Sequence, residues 1–480
     1  MQNTRPILAW ETLLDLETET DSGSARPLRD RVEAALRRAI DEDRLSPGSA
    51  VPPSRTLAET LGVSRWVVTE AYGQLVAEGV LEARTGSATR VAEQHGGTPI
   101  RTTATPPPAP LSVERQHPAR SVRYDLRPGI PDLRATPRSR WAAALRAAVA
   151  GLPDHDLAAA HPFGYAPARV AVAAYLSRSR HADADAARVT ITHGATDGMG
   201  ILSRELRRRG HHTILVEDPS WPRLRVVAEA NGLLPVPVPV DDDGVDTTRL
   251  KEVAARTGAR AALVTPAHQF PLGAALAPIR RDELVRWARE HDALVIEDDY
   301  DAEFRYDRRP IPALQRLAPD RVALIGSLSK SVSPALGIGW MLLPADLTPA
   351  LSLSPPSLID QAALAEFITR GDLERHLRSS RTRFRHRRRR LLDALQRELP
   401  DLPVSGIAAG MHLVLALPAG SSAAKIAAAG TDAGLALTPL ARYECADPQP
   451  ESLVLGYGDL DDALVEEAVA RLADLLRAGV

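Results

Sequence analysis

The 480-residue sequence predicts an α/β protein with two folded units, an N-terminal winged helix-turn-helix and a large C-terminal unit built on a parallel sheet. Three observations predict this arrangement. Residues 93–123 are rich in Pro, Thr and Gly and have little apolar surface to bury, which is typical of an extended linker. Residues 1–92 show helical spacing followed by a hairpin signal, and residues 124–480 alternate short apolar runs with helical segments.

Composition and charge exclude several classes of protein. The chain has 44% hydrophobic residues and a formal net charge of −2, so any contact with nucleic acid must come from a local patch. The single cysteine, Cys445, excludes a disulfide framework and favours a reducing, cytoplasmic location. No signal peptide is evident in residues 1–10, and no apolar run is long enough to span a bilayer.

Three helices are expected in the N-terminal unit. Ser54 is expected to cap the second helix, and Gly62 to end it. Ser64 is expected to cap the third, which Gly79 ends. Apolar side chains at helical spacing define the first helix: Leu28, Val32, Leu36 and Ile40.

Two β-like runs, residues 80–83 and 89–91, follow the third helix and are joined through Thr85, Gly86 and Ser87. This is a hairpin turn signal and predicts the wing. Composition alone favours a small interaction domain, so the choice between that and a DNA-binding winged helix depends on the detailed amino-acid sequence.

That string is VPPSRTLAETLGVSR at residues 51–65, followed by AYGQL at 71–75 and EG at 78–79. It closely resembles the GntR family of winged-helix regulators over nearly the whole unit. The resemblance implies that the third helix enters the major groove of DNA, where arginine suits phosphates and guanine edges. The residues implied to contact DNA lie on the second helix, at the start of the third helix and at the wing tip: Arg55, Ser64, Arg65, Trp66, Arg84, Gly86 and Ser87. For Trp66, a local hydrophobic contact is the alternative.

Five apolar runs in the C-terminal unit predict buried parallel strands. They are residues 189–192, 213–216, 262–265, 293–296 and 322–325. Ligands of such sheets bind beyond the carboxyl ends of the strands, and the residues with useful chemistry lie there.

Lys330 is the most informative of these residues, since the chain has only three lysines, Lys251, Lys330 and Lys425. It follows the run 322–325 within GSLSKS. A lysine held near apolar surface can lose its proton and attack an aldehyde, whereas arginine cannot. We therefore interpret Lys330 as the Schiff-base lysine of pyridoxal 5′-phosphate (PLP). The alternative is an incidental surface lysine.

Other strand ends supply the remaining parts of a PLP site. Backbone N–H groups at a helix start can hold the phosphate, and Trp221 offers a flat face for the pyridine ring. Asp298 can pair with the pyridine nitrogen, and Tyr300 can donate to the phenolic oxygen. The residues expected at the phosphate are Gly194, Ala195, Thr196, Ser327 and Ser329.

No metal site is predicted. His211, His212 and His268 lack companions at metal-ligand spacing in the sequence. The basic run at residues 385–390, RHRRRR, is interpreted as a solvated helix face rather than as a specific reader of nucleic acid.

Residues 124–480 resemble the fold-type I aminotransferases, on the motifs above and on three further stretches. These are TPAHQFPLG at 265–273, DDYDAEFRY at 298–306 and AGMHL at 409–413. Joined behind a GntR-like head, this unit is similar to the MocR-type (GabR-like) transcriptional regulators. The resemblance implies that the aminotransferase-like domain binds PLP through an internal aldimine on Lys330. It also implies that this domain senses PLP, or PLP with an amine or amino acid, in a homodimer with swapped heads.

The same resemblance implies that Arg223 meets an effector carboxylate, but three positions depart from the family pattern. Gly337 stands where an arginine usually meets the phosphate, and Phe163 where a tyrosine is usual. The strand at residues 452–457 lacks an arginine for a substrate carboxylate, although Arg442 lies upstream as a second effector candidate. A working aminotransferase with an accessory DNA-binding head is therefore the alternative to a regulator.

Overall fold

The computed structural model describes residues 10–14, 27–83, 88–93, 122–158, 161–306, 311–347, 353–446 and 448–478. The chain divides into two compact units, Met1–Ser112 and Val113–Val480. Within the described ranges, none of the helices combines the length and the apolar character needed to cross a membrane.

The N-terminal unit packs its helices around one apolar core and ends in a short antiparallel hairpin. Its elements are α1 (Trp10–Leu14), α2 (Leu28–Asp41), α3 (Ser54–Leu61), α4 (Arg65–Ala77), β1 (Leu81–Glu82) and β2 (Arg90–Val91). The Ser64 side chain caps α4 by accepting the Val67 N–H at 3.4 Å. Gly62 ends α3 in the left-handed conformation, at φ +63°. Both features agree with the prediction.

Two details of this unit differ from the prediction. Ser54 is the first residue of α3 rather than its cap, because Pro53 occupies the cap position in an extended conformation and makes no side-chain hydrogen bond. Leu28 is 47% exposed, since it lies in the first turn of α2, before the face that meets the core. The five-residue α1 was not predicted because it is too short to show periodicity, although Leu13 and Leu14 are buried.

An eight-stranded sheet forms the centre of the large unit, in the order β4-β11-β10-β9-β8-β5-β6-β7. The strands of this unit are β3 (Tyr124–Asp125), β4 (Val189–Thr192), β5 (Thr213–Asp218), β6 (Leu234–Asp241), β7 (Gly244–Val245), β8 (Ala261–Val264), β9 (Leu294–Asp298), β10 (Val322–Ser327), β11 (Gly339–Leu342), β12 (Val404–Ser405), β13 (His412–Ala416), β14 (Leu435–Ala436) and β15 (Ser452–Gly456). Strands β10, β9, β8, β5 and β6 are parallel neighbours. Strand β11 runs antiparallel to both β10 and β4, so the carboxyl ends of β4 and β10 lie at the same edge.

Helices cover both faces of this sheet. The helices of the unit are α5 (Arg138–Gly151), α6 (Asp154–Ala158), α7 (Ala166–Arg180), α8 (Ala195–Arg208), α9 (Pro222–Ala230), α10 (Thr247–Thr257), α11 (Pro278–Glu290), α12 (Leu358–Thr369), α13 (Asp372–Glu398), α14 (Ala423–Asp432) and α15 (Val465–Arg477). Alternate strand residues point to opposite faces. Ile214 and Val216 therefore pack with α8 and α9, while Leu215 packs with α10 and α11.

A smaller antiparallel sheet, β12-β13-β15, lies in the C-terminal part of the chain. Its strands share an apolar core with α13 and α15. Strand β14 pairs in parallel with β3, which joins the beginning of the large unit to its C-terminal part.

All five expected strands are present, but the pattern missed others. Strand β6 has the sequence LPVPVPVD, and proline usually argues against a strand next to the middle of a sheet. Its prolines occupy every second position, so only the alternate residues have N–H groups to donate. One of these residues, Leu234, donates its N–H to the carbonyl oxygen of His212, just before β5, at 2.8 Å. The missing N–H groups therefore all face away from β5, and the pairing survives.

Candidate cofactor site and DNA-binding surface

Four strand ends bring side chains together at one edge of the large sheet. Gly194 follows β4, Trp221 follows β5, Asp298 ends β9 and Lys330 follows β10. The Lys330 Nζ lies 5.4 Å from the centroid of the Trp221 ring. It donates a hydrogen bond to the carbonyl oxygen of Gly129. The lysine amine thus lies above an aromatic face.

Burial lowers the pKa of the Lys330 amine, while the charges of Asp298 and Asp301 act in the opposite direction. Desolvation disfavours the ammonium form of a lysine. A larger neutral fraction makes the amine a better nucleophile toward an aldehyde.

Three acidic residues follow one another at the end of β9, and their side chains point alternately to opposite faces of the sheet. Glu297 accepts two backbone N–H groups at 2.9 Å each. Asp299 forms a buried ion pair with Arg180 at 2.8 Å. Asp298 faces the other side, and its buried Oδ1 has no hydrogen-bond partner among the described residues. Asp299 also keeps one buried oxygen without a partner, but Asp298 is the carboxylate of the three that has neither an ion pair nor a hydrogen bond among the described residues.

Burial, followed by the charges of Asp299 and Asp301, raises the pKa of the Asp298 carboxyl to about 7. A buried carboxylate oxygen without a partner is costly unless something supplies a donor or a positive charge. A protonated pyridine nitrogen would supply both. The residues at this edge therefore fit PLP: Asp298 would pair with the ring nitrogen, and Lys330 would meet the aldehyde.

Trp221 belongs to an aromatic cluster. Its ring meets Phe270 edge-on, with centroids 5.4 Å apart, and stacks at 6.0 Å with Tyr443. Tyr300 lies nearby, with its ring 6.2 Å from that of Phe270. These contacts fix the orientation of the Trp221 face. The chain sequence contained no signal for Tyr443, because it reaches the cluster from a distant segment.

The expected phosphate residues surround the N-terminus of α8. Gly194 occupies the cap position of α8, and a Cβ built on it would lie 4.0 Å from the Cβ of Ser327. The Ser329 N–H donates to Ser327 Oγ at 3.3 Å. Arg223 Nε donates to Thr196 Oγ1 at 3.0 Å, in the first turn of the helix. The structure therefore brings Arg223, predicted as an effector residue, to the N-terminus of α8, where the phosphate is expected.

The other effector candidate and the three departures lie as follows. Arg442 is exposed, in the turn that contains Tyr443. Gly337 adopts φ +57°, and a Cβ built on it would meet no atom within 4 Å. The Phe163 ring lies 5.9 Å from the Arg169 guanidinium and offers no hydrogen-bond donor. Strand β15 carries no arginine.

The DNA-binding candidates that the structure describes are exposed. Ser64, Arg65 and Trp66 lie at the start of α4. Arg55 lies on α3 and forms a solvent-exposed pair with Glu59 at 3.3 Å. Trp66 is 66% exposed, so it does not pack on the core of the unit. The three wing-tip candidates, Arg84, Gly86 and Ser87, lie outside the described residues.

Much of the basic run at residues 385–390 is engaged within the large unit. Arg387 is buried and pairs with Asp462 at 2.6 Å. Arg388 donates to the carbonyl oxygen of Gly406 at 2.9 Å, and Arg390 pairs with Glu466. Arg385 and Arg389 are exposed. The run on α13 is therefore partly structural rather than a continuous cationic surface.

One buried cluster was missed by sequence reasoning. His268, Asp301 and His412 are brought together so that one potential ligand atom from each lies within 4.8 Å of the others. His268, which has no companion at metal-ligand spacing along the sequence, has two polar companions in the folded chain. Spacing along the chain gave no signal, since the three residues come from segments that only the fold brings into contact.

Comparison with known proteins defines the family. Residues 28–91 match the model of the bacterial regulatory proteins of the gntR family, and residues 133–472 match that of aminotransferase class I and II. The chain is 31% identical over 477 residues to the HTH-type pyridoxine biosynthesis transcriptional regulator PdxR of Corynebacterium glutamicum, covering 97% of this chain and 100% of that protein. It is 32% identical over 464 residues to the probable rhizopine catabolism regulatory protein MocR of Rhizobium meliloti, covering 93% of each. The chain belongs to the MocR-type transcriptional regulators.

Solved structures agree on the fold of the large unit of this MocR-type protein. The kynurenine aminotransferase of Pyrococcus horikoshii superposes with a TM-score of 0.67 at 21% identity, covering 75% of this chain and 91% of that chain. The multiple substrate aminotransferase of Thermococcus profundus gives a TM-score of 0.68 at 21% identity, covering 75% and 92%. The predicted fold class, a winged helix-turn-helix joined to a type I aminotransferase fold, is confirmed. The predicted class of function, a transcriptional regulator, is confirmed as well.

Proposed function

We propose that this MocR-type regulator binds PLP on Lys330 and that the state of this site controls DNA binding by the winged helix-turn-helix. The observation that carries the proposal is the buried Asp298 oxygen without a partner among the described residues, at the same edge of the sheet as the Lys330 amine and the Trp221 face. Three groups in this arrangement match the three recognisable parts of the cofactor ring: its nitrogen, its aldehyde and its flat face.

In this proposal each residue has one task. Asp298 stabilises a positive charge on the pyridine nitrogen, and Trp221 stacks on the ring. The phosphate is held by N–H groups at the start of α8, with Ser327 and Ser329 beside them. Arg223, which donates to Thr196, supplies a positive charge at that end. When bound, PLP supplies an electron sink and a chromophore.

The names of two relatives suggest which effectors to test first. The Corynebacterium glutamicum relative is named for pyridoxine biosynthesis, and the Rhizobium meliloti relative for rhizopine catabolism. PLP itself, and PLP together with an amine or amino acid, are therefore the two effector classes proposed for this chain. Arg442 and Arg223 remain the candidates for an effector carboxylate.

The test of the cofactor assignment is chemical trapping. Purified protein mixed with PLP is expected to develop a visible absorption band, and borohydride is expected to fix the cofactor on the peptide that contains Lys330. Lys330→Ala should lose the band, whereas Lys251→Ala, which removes a partly exposed lysine of α10, should retain it. Trapping on Lys251 or Lys425 would contradict the assignment.

A turnover assay separates a sensor from an enzyme. The protein, PLP, a panel of amino acids and a keto acid are mixed, and the amino acid product is measured. We expect no sustained turnover, because strand β15 offers no arginine to a substrate carboxylate and Arg442 is exposed. Multiple turnovers would favour the alternative, an active aminotransferase with a DNA-binding head.

For DNA binding, we propose a homodimer with swapped heads that reads two related half-sites through α4. The exposed Arg65 and Trp66 at the start of this helix are positioned to reach base edges once α4 lies in the major groove. The mass of the protein in solution, alone and with a two-half-site duplex, tests this stoichiometry. A monomer on a single half-site would contradict it.

A further inference from the structure

The three sequence stretches at 265–273, 298–306 and 409–413 converge on one buried point behind the proposed cofactor site. Each contributes one element: His268, the pair Tyr300 and Asp301, and Gly410. His268 Nδ1 lies 2.9 Å from Asp301 Oδ2 and 3.1 Å from Asp301 Oδ1. The same nitrogen lies 3.1 Å from the Tyr300 hydroxyl oxygen. His268 and Asp301 are 3% and 1% exposed, so water does not compete for these contacts.

A metal centre is the first alternative, since His412 adds a third potential ligand. The geometry argues against it. His268 Nδ1 already faces Asp301, and His412 Nε2 donates to the carbonyl oxygen of Pro271 at 3.0 Å. The two imidazole rings are tilted by 34° with centroids 5.0 Å apart, and each already uses one nitrogen for a contact with the protein.

The carboxylate of Asp301 determines which nitrogen of His268 carries the proton. A carboxylate accepts but does not donate, so Nδ1 must carry the hydrogen. The remaining nitrogen, Nε2, is buried without a partner among the described residues, which suits a bare lone pair better than an N–H group. The His268 N–H then faces both Asp301 and the oxygen of Tyr300.

A consequence follows for the Tyr300 hydroxyl. If its oxygen accepts from His268, its own proton goes to another acceptor: Asp301, to which Tyr300 is hydrogen-bonded, or the phenolic oxygen of the cofactor when PLP is bound. Burial, followed by the charges of Asp301 and Asp298, raises the pKa of the Tyr300 phenol well above its usual range, so the proton stays on the tyrosine. An O–H group that accepts a hydrogen bond is also a stronger donor.

The third stretch, residues 409–413, contributes Gly410, whose lack of a side chain lets its backbone lie against the His268–Asp301 pair. A Cβ at this position would lie 2.1 Å from His268 Cε1 and 2.6 Å from Asp301 Oδ2. The Gly410 carbonyl accepts from the Tyr457 hydroxyl at 2.9 Å, and its N–H donates to Phe304 at 2.7 Å. The backbone at Gly410 is therefore held against the His268–Asp301 pair, where no side chain fits.

We propose that His268 is a positioning residue that acts through Tyr300. In this arrangement Asp301 orients His268, His268 donates to the Tyr300 oxygen, and the Tyr300 proton is directed to the phenolic oxygen of the bound cofactor. The inference rests on the proposed PLP site and adds to it a buried relay. The other charged or titratable groups that act on Tyr300 and its neighbours include Asp298, Asp299, Glu217, Lys330, Arg223 and His412.

The test uses the visible band of the full-length protein loaded with PLP, titrated against pH. A hydrogen bond to the phenolic oxygen withdraws electron density and lowers the basicity of the neighbouring nitrogen on Lys330. His268→Leu should therefore move the midpoint of the band to higher pH and weaken PLP binding roughly fivefold, as for the loss of one net hydrogen bond. His268→Asn, whose amide places an N–H near the Nδ1 position, should restore most of both effects.

A double variant distinguishes action through Tyr300 from a packing effect. Tyr300→Phe should shift the midpoint in the same direction, and adding His268→Leu to it should cause little further change. His412→Leu, which removes the neighbouring imidazole but no contact with Tyr300, is the matched control and should leave the midpoint in place. Circular dichroism checks that each variant folds.

Three results would overturn the inference. The first is a His268→Leu midpoint equal to that of the wild type, and the second is a full additional shift in the Tyr300→Phe background. The third is a stoichiometric zinc ion that is lost in His412→Leu. A wild-type protein without any visible band under saturating PLP would overturn the cofactor proposal itself, and the relay with it.

Discussion

Replacement of Asp298 by asparagine is expected to have opposite effects on the stability of the cofactor-free protein and on its affinity for PLP. Asp298 is only 9% exposed, and one of its carboxylate oxygens has no partner among the described residues. Burial raises its pKa from the usual 3.8 to about 7. Without the cofactor, the ionised form is therefore an unfavourable charge that asparagine would remove.

The magnitude follows from that pKa shift. The pKa rises by about 3, and each pKa unit is worth about 1.4 kcal/mol, so the ionised Asp298 lowers the free energy of unfolding by about 4 kcal/mol at most. Because the folded-state pKa lies above the unfolded value, the free-energy cost is absent below the unfolded pKa of 3.8 and complete above about 7. The stability advantage of Asp298→Asn should therefore grow as the pH rises across this window and remain constant above it.

Urea unfolding of the cofactor-free protein at several pH values measures this difference. The control is Asp242→Asn, which removes an exposed carboxylate of the β6–β7 turn and changes the net charge equally. PLP titrations of the same proteins should show weaker binding for Asp298→Asn, because a neutral amide does not stabilise a protonated pyridine nitrogen. A stability difference that is independent of pH, or unchanged PLP affinity, would refute this reasoning.

Three further predictions concern glycines and the DNA contact. Gly337→Arg should slow the release of PLP to a competing amine during dialysis, because the space beside Gly337 is open to a new side chain. The left-handed φ of +57° costs that side chain about 1 kcal/mol. Unchanged release would show that another cation already binds the phosphate. Arg65→Ala should weaken binding to a selected DNA site by about 1–3 kcal/mol in fluorescence anisotropy, with PLP binding unaffected, whereas Arg29→Ala on α2 should have a smaller effect. Gly410→Ala should lower the unfolding free energy by about 1–3 kcal/mol, because its methyl group would lie 2.1 Å from a buried imidazole carbon. Gly420→Ala, at a similar positive φ of +83° but with no atom within 4 Å, is the control, and equal losses in the two variants would exclude the contact as the cause.

Local physics made much of the protein predictable. Apolar runs of strand length, helix caps such as Ser64 and the left-handed Gly62 depend on near neighbours in the chain, so the amino-acid sequence was enough to assign those elements. The rarity of lysine and its place after a buried strand drew attention to Lys330. Strand β6 was missed because its prolines usually argue against a strand, although they leave the N–H groups that pair with β5 in place. The cap of α3 was misplaced because Pro53, rather than Ser54, occupies the cap position.

The sequence by itself predicted the two units and the edge of the sheet at which the candidate cofactor residues lie. Only the tertiary structure decided which of three consecutive carboxylates is left for a ligand, because Arg180, 119 residues before Asp299, takes one of them. It also decided that His268 has a partner, since Asp301 lies 33 residues further along the chain. Burial and hydrogen bonding between distant segments set the pKa values and proton positions at such a site, and spacing along the chain does not encode those contacts.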